Sequence, residues 1–154
     1  MFLLKYLWYV VQHKWFVMLE CFKEGLYWQG IIHDLSKFSP AEFFSYALRF
    51  FYKTEDQERL EKIRNAFFYA WLHHLHHNKH HWDHWILEGK PLKMPKKYVI
   101  EMICDWRAMG RKFGDTAIEY YLMKREEIIL HDDTKKLVEE MLRIPGTHAG
   151  GGKK

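Results

Sequence analysis

The sequence contains few of the residues that hold small secreted domains or metal–thiolate sites together. Its 154 residues include two cysteines, Cys21 and Cys104, which lie far apart and form no CxxC motif. A disulfide scaffold and a cysteine-rich zinc finger are therefore excluded. Because cysteine is sparse and no secretory signal is recognisable, we expect a reducing, cytoplasmic location.

Long uncharged hydrophobic runs are also missing. The apolar N-terminus, residues 1–19, is interrupted by Lys5, Gln12, His13 and Lys14, whereas a membrane-spanning helix needs roughly 20 consecutive apolar residues. The sequence therefore predicts a buried amphipathic helix here and no membrane partner. The net charge of +4 is small, and basic residues are interspersed with acidic ones. This pattern disfavours nucleic acid as a partner, because nucleic-acid-binding proteins more often concentrate basic residues in a stripe.

Several common catalytic and nucleotide-binding motifs are absent as well. No GxGxxG, P-loop or GxSxG motif occurs, so dinucleotide binding, P-loop chemistry and serine hydrolysis lack local support. No strand-like alternation is long enough for a sheet. Apolar residues recur instead at helical spacing, which predicts helices over about 2–20, 21–35, 40–52, 56–76, 80–87, 96–112, 116–130 and 134–143. The expected fold is an all-α, compact, single-domain helical bundle over residues 1–144, with a flexible tail at 145–154.

Helix starts can be assigned at three places. Ser39, Pro40 and Glu42 match the N-cap, the first helical position and the reciprocal position of a capping box. Glu42 is therefore interpreted mainly as a capping residue, with a catalytic role as the alternative. An aspartate precedes each of the last two helices, Asp115 before one and Asp132 or Asp133 before the other, and each can cap its helix.

Histidine and aromatic residues are in excess. The chain has 11 His, 7 Trp, 9 Tyr and 11 Phe, and seven of the histidines lie between His73 and His84. Trp85 and Trp106 are interpreted as packing residues rather than as platforms for a substrate base. Other aromatic residues at helical spacing are expected in the core: Phe43, Phe44, Phe50, Phe51, Phe67, Phe68 and Trp71. The excess of histidine raises metal binding or proton chemistry as the question of function.

The most informative string for chemistry is His33-Asp34-Leu35-Ser36-Lys37. An adjacent histidine and aspartate at a helix end can both reach one cation, and their nitrogen and oxygen atoms suit zinc, manganese, iron or cobalt. Further ligands must come from other helices, and His13 and Asp105 are candidates. Asp105 lies in an apolar helix, where a carboxylate needs a partner, and a metal ion is a suitable one.

The order of His13, the His33-Asp34 pair, a histidine-rich helix and Asp105 resembles the HD-domain superfamily of metal-dependent phosphohydrolases. The string HDLSK is similar to the HD-x-x-K core of that superfamily. A second pair, His131-Asp132, lacks the following lysine and is interpreted as unrelated. More narrowly, the segments HDLSKFSPAEF, 73–85 and EMICDW resemble a group of small bacterial and phage proteins of unknown function, over about residues 6–122.

The resemblance implies a set of ligands for one or two divalent transition metal ions: Mn, Fe, Co, Zn or Ni. His13, His33, Asp34 and Asp105 would hold one ion. Asp34 would also bridge to a second ion, for which His74 is the first choice of ligand and His80 or His81 the next. The crowding of the histidines leaves open whether one ion or two are bound.

Catalytic roles follow from the same chemistry. Lys37 would neutralise a phosphate oxygen as a point charge. Glu42 would act as a base or orient water, and Glu101 would hold a ligand histidine by a hydrogen bond. The expected function is hydrolysis of a small phosphate ester, with nucleotides among the candidates, by a metal-activated water. A di-iron oxygenase of the HD type and a non-catalytic metal-binding module are the alternatives, and a homodimer stays open.

Overall fold

The computed structural model of the chain describes residues 1–144, and this part is all-α, as the sequence predicts. It contains seven α-helices and one hairpin of two-residue strands. The described chain divides into two compact units, a first unit of Met1–Lys79 and a second unit that begins at His80. The flexible tail expected at 145–154 lies outside the described residues.

Four helices form the first unit. They are α1 (Phe2–Lys23), α2 (Tyr27–Ile32), α3 (Pro40–Phe51) and α4 (Gln57–His77), with a 3₁₀ turn at Leu35–Phe38 between α2 and α3. Three of the four match the expected ranges within three residues. The helix expected over 21–35 is shorter, because α1 continues to Lys23 and Gly25 then takes a positive φ of 74°, a conformation that glycine adopts without steric cost.

The core of the first unit lies between α1, α3 and α4. Its fully buried members are Tyr6, Val10, Tyr46, Ala47 and Ala70, and half-buried Phe43, Phe51, Phe67 and Trp71 pack against them. The prediction is wrong for Phe44, Phe50 and Phe68, which are more than half exposed. On these helices the aromatic residues are so dense that helical spacing alone does not separate the core face from its flanks.

The second unit contains α5 (Lys96–Phe113), α6 (Ala117–Lys124) and α7 (Asp132–Met141). The helix expected over 80–87 is wrong. A 3₁₀ turn at Trp82–Trp85 and a hairpin of Ile86–Leu87 with Lys90–Pro91 take its place. The two residues of the hairpin loop, Glu88 and Gly89, both have positive φ, which is the geometry that suits the twist of a two-residue hairpin.

Helix capping in the second unit also differs from expectation. Thr116, not Asp115, caps α6: its hydroxyl accepts from the Glu119 N–H, and the Glu119 carboxylate accepts from the Thr116 N–H. His131 caps α7 by accepting from the Asp133 N–H, so the pair His131-Asp132 has a local structural role. Helix α6 ends at Lys124 rather than near residue 130.

A separate apolar core fills the second unit. Trp106 stacks on Tyr121 within it, and Trp85 packs against it and contacts the ring of Tyr98, so the packing interpretation of both tryptophans is confirmed. The remaining buried members are Met94, Val99, Met102, Ile103, Ala117, Val138 and Leu142. Among residues 1–144 no helix combines the length and apolarity needed to cross a bilayer.

Candidate metal centre

The sharp turn after α2 places the His33-Asp34 pair inside the first unit. Asp34 has a left-handed backbone with φ of 57°, which aspartate tolerates better than most residues. Lys14 of α1 donates to the carbonyl oxygens of Ile31 and His33, and so satisfies acceptors that the end of a helix leaves without partners. Sequence analysis missed this role of Lys14, although the residue directly follows the candidate ligand His13.

Three histidine rings surround the carboxylate of Asp34. The Nε2 atoms of His13 and His33 lie 3.3 and 3.4 Å from Asp34 Oδ2, and the Nε2 atom of His74 lies 3.3 Å from Oδ1. All four side chains are at least 96% buried. We call His13, His33, Asp34 and His74 the inner cluster. The structure therefore brings together three of the predicted ligands and the first choice among the clustered histidines.

Asp34 is ionised in this setting. Burial by itself raises the pKa of Asp34, but the electrostatic influence of His33 and Lys37, with a hydrogen bond to His13, outweighs burial and holds the pKa well below its usual range. The Lys37 ammonium is the closest of these groups, 2.6 Å from Asp34 Oδ2. Lys37 thus lies at the inner cluster, and its role at a phosphate stays a prediction.

Glu42 does not cap α3. The Ser39 side chain makes no cap hydrogen bond, and the Glu42 carboxylate is fully buried between two histidines of α4. Its Oε1 lies 2.8 Å from His73 Nδ1 and its Oε2 lies 2.8 Å from His74 Nδ1. The predicted capping box is wrong because these tertiary partners, more than 30 residues away in sequence, take up both carboxylate oxygens.

Glu42 fixes which nitrogen of His74 carries the proton. Burial raises the pKa of Glu42, but hydrogen bonds from His74 and His73 outweigh it, so the net shift is downward and the group is a carboxylate acceptor. Asn78 Nδ2 lies 3.0 Å from His74 Nδ1 as well. Its two N–H groups, however, donate to Ser36 Oγ and to the His74 carbonyl. The Nδ1 atom of His74 therefore carries the proton and donates a hydrogen bond to Glu42.

This tautomer leaves a lone pair on His74 Nε2, facing a carboxylate oxygen 3.3 Å away. Two acceptors in that arrangement repel each other unless a cation, either a proton or a metal ion, lies between them. In metal sites, a ligand histidine commonly donates its other ring N–H to a carboxylate, which fixes the tautomer and the orientation of the ring. Imidazole nitrogens with a carboxylate oxygen are donors that Zn, Fe, Co, Ni and Mn accept, so the donor set fits such an ion.

The second unit contains a smaller histidine–carboxylate group. His80 Nδ1 lies 3.3 Å from Glu101 Oε1, and its Nε2 lies 3.9 Å from Asp105 Oδ2. His80 and Glu101 are buried, and the half-buried His81 ring contacts that of His80. Glu101 thus lies beside His80, and its predicted hydrogen bond to a ligand histidine stays a prediction. The assignment of His80, His81 and Asp105 as ligands stays a prediction.

The other clustered histidines have different surroundings. His73 and His77 stack on each other along α4, His76 is exposed, and His84 contacts Trp85. Buried histidine, aspartate and glutamate side chains of the chain form groups that could hold a metal ion. The sequence names every member of the inner cluster as a candidate ligand. It does not indicate the contacts of Ser36 and Asn78, whose side chains lie 3.3 and 3.0 Å from His74 Nδ1.

Comparison with known proteins finds a matching family. The model of a protein family described as a family of unknown function (DUF5662) matches residues 3–144. Neither the curated proteins nor the solved structures contain a significant match to the chain.

Proposed function

The chain belongs to the DUF5662 family of unknown function, and we propose that it is a metal-dependent phosphohydrolase acting on a small phosphate ester, with nucleotides as the first class to test. The observation that carries this proposal is the inner cluster, in which three buried imidazole Nε2 atoms lie within 3.4 Å of one carboxylate. The resemblance of His13, His33-Asp34 and Lys37 to the HD-domain superfamily supports the same reaction class.

The inner cluster would hold one or two divalent transition metal ions. His13 and His33 face Asp34 Oδ2, whereas His74 faces Oδ1. Because its two oxygens face different histidines, Asp34 would be placed to serve a second ion as well. Asp105, the remaining ligand that the resemblance implies, belongs to the second unit, and its ligation is part of the proposal.

The bound ion would supply two kinds of chemistry, because it lowers the pKa of a bound water to about 7 and polarises a phosphoryl oxygen. The protein groups then have separate tasks. Lys37, whose side chain is 16% exposed, would pair with a non-bridging phosphate oxygen and offset its charge. Glu42 keeps the Nε2 of His74 available as a ligand. This makes Glu42 a positioning residue rather than the base or water-orienting group that the sequence suggested.

Metal content and turnover test the proposal together. The full chain is purified without an affinity metal column, its metals are measured by elemental analysis, and it is assayed with Mn, Co, Fe or Zn against nucleotides and other phosphate esters. We expect phosphate release that requires metal and falls on the order of 10²–10³-fold in Asp34→Asn. His76→Ala, at an exposed histidine of the same helix, is the matched control and should keep the wild-type rate. A folded, metal-loaded chain without turnover on any substrate would contradict the proposal.

The same measurements separate the two alternatives. A di-iron oxygenase of the HD type would contain two irons per chain and consume oxygen only with its substrate. The two oxygens of Asp34 face different histidines, and this arrangement keeps the di-iron alternative open. A non-catalytic metal-binding module would bind one metal tightly, lose stability in Asp34→Asn and show no turnover.

A further inference from the structure

Helix α1 of the first unit presents side chains to the core on one side and apolar side chains to solvent on the other. The core side carries four buried residues: Tyr6, Val10, His13 and Val17. Helical spacing places a row of exposed residues, which we call the outer stripe, on the opposite side: Leu4, Trp8, Val11 and Trp15. These four residues are 70, 64, 44 and 55% exposed, respectively. Because a helix that is apolar all round is normally buried on every side, we expect a partner to cover the outer stripe.

The outer stripe has the spacing of a coiled-coil seam. Its members follow one another at intervals of four, three and four residues, close to the average of about 3.5 that keeps a stripe facing a second helix. The same spacing continues to the half-buried Met18 and Phe22, where α2 packs. A Cβ atom at Gly30 of α2 would lie 3.1 Å from the Phe22 ring and 3.2 Å from Met18 Cα. One helix of the chain thus already packs at the end of this stripe, and the open part offers a similar surface to another helix.

The exposed face is large enough for a dimer interface. Tyr27 of α2 extends the outer stripe, because its ring contacts that of Phe22 at a centroid distance of 5.3 Å. Four rings on these two helices are each more than half exposed: Trp8, Trp15, Tyr27 and Trp28. Since a whole aromatic side chain has about 150–250 Å² of surface, the four present roughly 500 Å². The leucine and valine of the stripe bring the face toward the roughly 800 Å² that each partner of a stable complex buries.

We propose that the outer stripe pairs with the outer stripe of a second copy of this chain, antiparallel about a two-fold axis. An axis midway between residues 9 and 10 sets Trp8 against Val11 of the second copy. It also sets Leu4 against Trp15 of the second copy. Large side chains then meet small ones, which lets facing helices interdigitate. A parallel pair in register would instead set each tryptophan against its own equivalent.

The charges beside the stripe favour a second copy over a lipid surface. In the antiparallel pair Lys5 comes beside Gln12 of the second copy, so that no like charges meet there. Anionic lipid instead attracts clusters of lysine and arginine. Lys14 also flanks the stripe, but its ammonium is engaged, since it donates to two backbone carbonyl oxygens at the end of α2. The interface lies on the side of α1 away from His13, and the dimer does not depend on phosphohydrolase activity.

Sedimentation velocity of the full chain tests the dimer. Wild type, Trp8→Lys and Tyr69→Lys are compared from about 1 to 100 µM, a range suited to a micromolar dissociation constant. We expect a wild-type dimer, and at least about 30-fold weaker association in Trp8→Lys, as after loss of a tryptophan at the centre of an interface. Tyr69→Lys is the matched control, because it changes an exposed ring of α4 and should leave the dimer intact. Circular dichroism checks that each variant is folded.

A mixing experiment tests the antiparallel orientation. Val11→Glu alone should also associate weakly, because it places two like charges near the two-fold axis. Mixed with Trp8→Lys, it should form a heterodimer, since the new lysine of one chain faces the new glutamate of the other. We expect a dissociation constant for the mixture at least about tenfold lower than for either variant alone.

Any other result overturns the proposal. A wild-type chain that stays monomeric, or a dimer that persists in Trp8→Lys, shows that the outer stripe does not join two copies. Loss of the dimer in Tyr69→Lys means that association does not depend on this face in particular. A mixture no tighter than its components contradicts the antiparallel pair. Co-sedimentation of monomeric wild type with vesicles of equal parts phosphatidylcholine and phosphatidylserine, lost in Trp8→Lys, would assign the stripe to a membrane instead.

Discussion

Two buried carboxylates, Asp34 in the first unit and Glu139 in the second, are nearly inaccessible to solvent but have opposite surroundings. Glu139 Oε1 accepts a hydrogen bond from the Tyr121 hydroxyl at 3.2 Å and pairs with Arg125 at 3.1 Å. Asp34 is surrounded by the Nε2 atoms of three histidines and by the ammonium of Lys37.

The difference lies in what the partners can do. A tyrosine hydroxyl and a guanidinium both donate hydrogen bonds at neutral pH. The carboxylate of Glu139 therefore has its hydrogen-bond donors within the protein and has a structural role. Imidazole can instead turn a lone pair toward the carboxylate. His74 can do so through Nε2, because its Nδ1–H donates a hydrogen bond to Glu42. Burial alone therefore does not distinguish the two carboxylates, whereas the chemistry of their partners does.

We expect the largest effect when Asp34→Asn is compared with Glu139→Gln. Asp34→Asn should remove metal from the inner cluster and lower turnover on the order of 10²–10³-fold, the range for losing one preorganised electrostatic group. Glu139→Gln keeps an acceptor for Tyr121, should keep the wild-type metal content, and should lower the free energy of unfolding by about 1 kcal/mol. Elemental analysis and urea unfolding of both variants check this. Equal metal loss in the two would remove the distinction between the carboxylates.

A smaller effect is expected from Glu42→Gln, which removes the charge that holds the His74 proton on Nδ1. Loss of such a support lowers metal affinity by about 10–100-fold, and competition with a chromophoric chelator measures it. The matched control is Glu119→Gln, which changes the exposed carboxylate of the α6 capping box. Unchanged affinity in Glu42→Gln would show that another group sets the His74 tautomer.

The inner cluster could be predicted only where its signal is local. His33, Asp34 and Lys37 stand in one short string, and His13 precedes them in the order that the resemblance requires. His74 stands in a crowded run of histidines, where the sequence alone gives no geometric ground for choosing it. The capping-box interpretation of Glu42 is wrong because Ser39, Pro40 and Glu42 form a complete local pattern, while the partners of Glu42 lie on α4. The all-α class followed from helical spacing, but the hairpin depends on two positive-φ residues that hydrophobic periodicity cannot reveal.

The smallest expected effect is on the stability of the protein at alkaline pH, and it tests the surroundings of Glu139. Burial, then the charge of Glu139 and the hydrogen bond to it, raise the pKa of Tyr121 to about 12. Because this pKa lies above the value of about 10 for an unfolded tyrosine, the folded state retains the proton more strongly. The stabilisation is fully present below pH 10 and is lost as the pH rises toward 12.

Tyr121→Phe should therefore lose less stability than wild type between about pH 10 and 12, because phenylalanine has no proton to release. The urea midpoint, followed by circular dichroism at several pH values, gives the two slopes. Lysine deprotonation and the raised pKa of Tyr6, which burial and then the charges of Asp34 and Glu42 cause, affect both proteins alike. Tyr69→Phe, at a side chain 77% exposed, should follow wild type. Parallel curves for Tyr121→Phe and wild type would mean that Glu139 does not hold the Tyr121 proton, and its structural role would then rest on Arg125 alone.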